Sequence, residues 1–118
     1  MTGRAARAPR LTPQDAVELS KNDRVTLIDV RDHTELAMTG KAEGAVHIPL
    51  AAIGTRANPA SPDFHPELDK SKPVAIYCAS GARSSMAVPV LEQYGFNEVH
   101  NIGGLGHWQM AGGRVVRA

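Results

Sequence analysis

The sequence predicts an α/β fold, an open parallel sheet of four to five strands with helices on both faces. Two observations predict it. Short apolar, β-branched runs alternate with helical stretches along most of the chain. With 118 residues there is room for one core of ordinary size and no second. In sheets of this kind, sites lie at the carboxyl ends of strands.

The elements follow in order. Residues 1–10 carry Arg4, Arg7 and Arg10 and no acid, and read as a disordered basic tail. Residues 11–118 form the domain. Thr12-Pro13-Gln14-Asp15 combines a capping threonine, proline at the first helical position and an acid at the third, so a helix is expected from Pro13 to Ser20. Arg24–Val30 reads as a strand, with Val25, Thr26, Ile28 and Val30 β-branched. Asp32 to Glu35 repeats the capping spacing, and a helix should run to Met38 before Gly40 ends it. Ala45–Ile48 is a shorter strand stopped by Pro49.

Residues 50–72 read as a surface excursion, with a loop at Asn58-Pro59-Ala60-Ser61-Pro62 and a helical turn over 63–70. Pro73–Tyr77 is an apolar strand leading into Cys78. A helix is expected from Ser84 to Tyr94, closed by Gly95. Pro89 removes the N–H owed to the Ser85 carbonyl, which predicts a kinked or early-ending helix. Glu98–Ile102 reads as a further strand and Gly103-Gly104 as a turn. Leu105–Met110 then forms a last helix with Trp108 packed inward, and Val115-Val116 trails.

Composition narrows the function classes. Hydrophobic residues are 42% and charged residues 21%, with a mean hydropathy of −0.23, the balance of a soluble globular domain. No apolar run reaches membrane-spanning length. The net charge is +1, and no basic stripe suggests a nucleic-acid partner. The N-terminal segment lacks a signal peptide's apolar region, which points to the cytoplasm. A single cysteine excludes an internal disulfide and a Cys-rich zinc site. The thiol is then a packing residue, an intermolecular linker or a reagent.

Its surroundings favour the reagent. A lone cysteine at a strand end is commonly a small buried hydrophobe. Here Cys78 ends a strand and is followed by Ala79, Ser80, Gly81 and Ala82, none of them bulky, before Arg83 and Ser84 open a helix. Small residues let the backbone curl so that amide N–H groups point at the sulfur, and the helix N-terminus adds its dipole. Both favour the nucleophilic thiolate. Arg83 supplies a cation suited to an oxyanion. Ser80, Ser84 and Ser85 either donate to the sulfur or cap the helix. Asp29 and Arg31, at a strand end on the same side, either orient the loop, with Asp29 pairing to Arg83, or form local turn bonds. His33, His47, His65, His100 and His107 lack ligand spacing, so no metal site is expected. Trp108 reads as a core anchor.

Tyr77 through Ser84 resembles the active-site loop of single-domain rhodaneses, the thiosulfate sulfurtransferases. Leu27-Ile28-Asp29-Val30-Arg31 with Glu35 resembles that family's first signature, and Gly44 through Pro49 its second. Gly95-Phe96, Val99, Asn101-Ile102-Gly103-Gly104 and Trp108 resemble its C-terminal signature. Lys41 after Gly40, Pro89 and the long excursion depart from the common pattern.

The resemblance implies a sulfurtransferase that carries sulfane sulfur as a persulfide on Cys78, from thiosulfate or a similar donor to cyanide, a thiol or a protein acceptor. Ala79, Ser80, Gly81, Ala82, Arg83 and Ser84 would cradle the sulfur, and no cofactor is needed. The alternative is a persulfide carrier or a non-catalytic binding module serving a partner protein. Cysteine phosphatases place one residue more between Cys and Arg, enlarging the cradle for a tetrahedral phosphate. The shorter loop from Cys78 to Arg83 suits a single sulfur atom.

Overall fold

Strand β4 (Val74–Cys78) is buried along its whole length and divides its side chains between two apolar cores. Val74, Ile76 and Cys78 enter one core, while Ala75 and Tyr77 enter the other. This is the period of two that a strand imposes, and it requires cover on both faces. The computed structural model describes residues 10–118. Apart from Arg10, which is exposed, the expected basic tail lies outside the described residues.

Around β4 the parallel sheet is completed by β1 (Thr26–Asp29), β3 (Val46–His47) and β5 (Val99–Gly104), in the order β3-β1-β4-β5. Helices α3 (Ile53–Arg56) and α4 (Ala82–Gln93) cover one face, through Ile53, Ala87 and Leu91. On the other face lie α1 (Pro13–Lys21) and α5 (Leu105–Met110), through Ala16, Val17, Leu105 and Trp108. Helix α2 (His33–Thr39) follows β1. The α/β class and the two-sided packing are therefore as the sequence predicts.

Both N-terminal capping boxes form. Thr12 and Asp15 exchange bonds of 3.1 and 2.9 Å, and Asp32 and Glu35 exchange bonds of 2.9 and 3.0 Å. Gly40 ends α2 with φ of 76°, a conformation that favours glycine.

Five local expectations are corrected. Helix α4 does not end early, because Pro89 and Ser85 are both exposed and water can satisfy the Ser85 carbonyl. Residues 63–70 form turns rather than a helical turn. Side chains of Asn58, Ser61 and Asp69 bond to backbone N–H groups two residues on and hold the chain in turns. The excursion is not wholly superficial, since Ile53, Ala57 and Leu68 reach the core. Gly103-Gly104 does not leave the sheet but extends β5. Val115-Val116 is a strand, β6, pairing antiparallel with β2 (Lys41–Ala42).

β5 carries a bulge. Ile76 pairs with Asn101 and Cys78 with Gly104, so two steps along β4 match three along β5. Gly103 takes up the extra step with φ of 94°. Trp108 is buried against Gly113, and its Nε1 donates to the Arg114 carbonyl at 2.7 Å, fastening α5 to the segment that leads into β6.

One buried ion pair braces the end of β1. Arg31 Nη2 donates to Asp29 Oδ2 at 2.8 Å and to the Gly40 carbonyl at 2.6 Å, and its Nη1 donates to Thr39 Oγ1 at 2.7 Å. Both side chains are essentially inaccessible. Removing one member of such a pair strands the other without a partner. Asp29→Ala is therefore expected to lower unfolding stability by about 3–5 kcal/mol, read as a fall in the urea midpoint.

Candidate active site

β4 delivers Cys78 to the carboxyl edge of the sheet, and the chain then folds back over the sulfur. Ala79 and Ser80 are exposed, whereas Cys78 beneath them is only 1% exposed. The Gly81 N–H donates to Cys78 Sγ at 3.0 Å, and Ser84 Oγ lies 3.4 Å from the same atom. Burial pushes the thiol pKa up. The Ser84 hydroxyl and the N–H groups of Ser84, Ser80 and Gly81 push it down and prevail, so Cys78 titrates at about 7 against an ordinary 9.0.

Glycines give the loop its shape. Gly81 caps α4 with φ of 110°, a backbone state that side chains disfavour. Gly104 has an ordinary φ of −117°, but a Cβ there would collide with the Ala79 carbonyl oxygen. The bulged end of β5 thus packs directly on the backbone of the cysteine loop, where no side chain fits.

Arg83 is not partnered by Asp29. Its Nη1 and Nη2 donate to Glu35 Oε1 and Oε2 at 2.7 and 2.8 Å, a bidentate pair bridging α4 and α2. Hydrogen bonding from Arg83 holds the Glu35 carboxyl at about 2, against an ordinary 4.5. Asp29 faces Arg31 instead because the two are neighbours in chain and both are buried, so each is the other's nearest counter-charge.

The structure therefore brings Cys78 and residues 79–84 together and places Asp29 and Arg31 in a separate brace. Ser84 reaches the sulfur, while the Ser85 hydroxyl donates to the Ala82 carbonyl at 2.7 Å. Two residues beside the cysteine loop carried no assigned role at the site in the sequence, Glu35, read there as a helix cap, and Asn101. Asn101 Nδ2 donates to the Gly81 carbonyl at 2.9 Å, and its Oδ1 accepts from Ser84 Oγ at 2.7 Å. An asparagine, a residue strands disfavour, inside the expected strand Glu98–Ile102 is the signal that marks it.

The histidines make local contacts. His47 Nε2 sits 2.6 Å from the Arg31 carbonyl, and His107 Nδ1 accepts the Gly104 N–H at 2.9 Å. Among the described residues, no group of three or more His, Cys, Asp or Glu side chains is placed to hold a metal ion.

A family model described as a rhodanese-like domain matches residues 12–111. The chain belongs to the rhodanese-like domain family. Among curated rhodanese relatives, it is 34% identical over 99 residues to a protein of Allochromatium vinosum named sulfurtransferase, covering 83% of this chain and 84% of that one. It is 29% identical over 103 residues to the thiosulfate sulfurtransferase GlpE of Actinobacillus succinogenes, covering 86% of this chain and 85% of that one. A solved structure from Rhodopseudomonas palustris, of unknown function and described as a possible tyrosine phosphatase, superposes with a TM-score of 0.79 at 31% identity. It covers 95% of this chain and 87% of that one. No helix among the described residues is long and apolar enough to cross a membrane.

The lowered thiol pKa has a direct readout. Alkylation of Cys78 by iodoacetamide should rise with pH to a plateau with a midpoint near 7. At about pH 6 the rate should stand roughly tenfold below that plateau. A midpoint near the ordinary 9.0 would contradict the arrangement of donors around the sulfur.

Proposed function

We propose that the protein is a sulfurtransferase that carries sulfane sulfur on Cys78. The observation that supports it best is the convergence of N–H groups on a buried thiol. The Cys78 thiolate attacks the outer sulfur of a donor such as thiosulfate. A new S–S bond forms to Sγ, the donor's S–S bond breaks, and sulfite leaves with the bonding pair. An acceptor nucleophile, cyanide or a thiol, then attacks the outer sulfur of the persulfide, and the Cys78 thiolate departs. Two half-reactions through one covalent intermediate imply ping-pong kinetics. The residues we assign are Cys78 as nucleophile, Ala79 through Ser84 as cradle, and Arg83 as the donor's oxyanion contact.

The phosphatase description attached to one structural neighbour suits this loop less well. Four residues separate Cys78 from Arg83, and the Gly81 N–H and Ser84 hydroxyl point at the thiol sulfur itself. A phosphate needs a ring of donors wide enough for its three outer oxygens.

Glu35 takes one N–H from each of Nη1 and Nη2 along a single edge of the Arg83 guanidinium and offsets its charge, leaving the remaining N–H donors for an anionic donor. Glu35 consequently tunes how strongly an anionic donor binds.

The covalent step is tested by incubating the chain with thiosulfate and weighing it intact. The expected result is a gain of one sulfur atom, about 32 Da, on the native chain and none on Cys78→Ser. No gain with thiosulfate, mercaptopyruvate or glutathione persulfide overturns the reading. Steady-state thiocyanate formation from thiosulfate and cyanide separates turnover from carriage. Glu35→Gln keeps an acceptor for the Asp32 N–H and removes the charge that holds Arg83. It should lower the KM for thiosulfate about fivefold, equivalent to about 1 kcal/mol for a half-exposed pair. An unchanged KM would remove Arg83 from donor binding.

A further inference from the structure

Ser84 has one hydroxyl proton and two acceptors within reach. Its Oγ is 2.7 Å from Asn101 Oδ1 and 3.4 Å from Cys78 Sγ. Ser84 is fully buried, so its proton stays within this group. The orientation of the Asn101 amide follows from its other neighbours. The Gly103 N–H donates to Oδ1 at 3.0 Å, and Nδ2 donates to the Gly81 carbonyl at 2.9 Å. An amide NH2 cannot face the Gly103 N–H, nor an oxygen the Gly81 carbonyl. Oδ1 therefore faces Ser84, and Ser84 is the donor.

We propose that Asn101 is a positioning residue for Cys78: its amide clamps Gly81, whose N–H faces the sulfur, and its Oδ1 shares the single Ser84 proton with that sulfur. In the thiol form the S–H is itself a donor, and the Ser84 proton rests on Asn101. In the thiolate form the charge-assisted bond draws the Ser84 proton to sulfur, and Oδ1 keeps the Gly103 N–H. Each polar atom retains a partner in both states, so the buried site changes charge without orphaning a group. The bulge makes this geometry available, since it sets Asn101 beside Ile76 and Gly104 beside Cys78. The inference rests on the reading of Cys78 as the reacting thiol.

Few charges compete with this device. Arg83 from α4 faces Glu35 from α2. β1 brings Asp29 and Arg31, paired to each other. β5 brings His100, whose Nδ1 accepts the Leu11 N–H at 3.2 Å, α5 brings His107, whose Nδ1 accepts the Gly104 N–H at 2.9 Å beside Gly103, and the N-terminal segment brings Arg10, whose Nη2 donates to the Asn101 carbonyl at 3.4 Å.

The test has one arm on the native chain and one on variants. In the native chain, the Asn101 side-chain amide resonance, followed by NMR across pH, should titrate with the same midpoint as alkylation of Cys78. That titration should vanish in Cys78→Ser. Asn101→Asp keeps an acceptor oxygen but sets a carboxylate against the Gly81 carbonyl and on the Ser84 proton. It should raise the alkylation midpoint and slow alkylation at pH 7 about tenfold. In a Ser84→Ala background, where the shared proton is gone, the same change should cost about threefold or less. An Asn101 amide that stays still while Cys78 titrates overturns the proposal. So does an Asn101→Asp penalty of equal size with and without Ser84. Sulfur uptake is weighed separately: a chain that titrates as described yet gains no sulfur fails the functional reading and leaves this inference standing.

Discussion

A sulfur atom beneath its own loop holds negative charge only where enough hydrogen-bond donors converge on it. Much of the site serves that convergence. The Gly81 N–H reaches Sγ because Gly81 adopts a left-handed backbone. The loop can sit low over β5 because Gly104 presents no side chain to the Ala79 carbonyl. The result is a thiol whose burial alone would keep it protonated and whose neighbours bring it close to neutrality.

The sheet supplies the rigidity this requires. β4 lies between β1 and β5 and is buried on both faces, so the last residue of the strand is held by neighbours on every side. Two charged pairs do different work around it. Asp29–Arg31 is buried and ties the end of β1 to the C-terminal end of α2. Glu35–Arg83 is half-exposed and spans two helices at the rim. The first holds a shape, and the second leaves a cation available at modest cost.

What was legible in the sequence is what local chemistry dictates. Thr12 with Asp15 and Asp32 with Glu35 announce helix starts because a cap and its partner lie within one turn. The run of small residues after Cys78 marks the loop that folds over the sulfur for the same reason. What was hidden depends on distant parts of the chain. Arg83 and Glu35 are 48 positions apart, and nothing near either names the other. The pairing of Lys41–Ala42 with Val115–Val116 is similarly remote, and two residues carry no periodicity. Gly103-Gly104 reads as a turn because glycine pairs usually are one, yet here they complete a bulge. Pro89 reads as a helix breaker, yet it sits on the exposed face of α4 and the helix runs on to Gln93.

Trp108 is the chain's one tryptophan, and it has a second use. Its ring lies buried on Gly113, its indole N–H is committed to Arg114, and its helix begins where β5 meets the cysteine loop. The molecule therefore contains a built-in fluorophore with a single environment, dry and hydrogen-bonded. Any loosening of the α5–β6 corner wets that ring and reddens its emission, while an event confined to the sulfur leaves the corner closed. Optical spectroscopy can thus separate motion of the scaffold from chemistry at the thiol in an unlabelled sample.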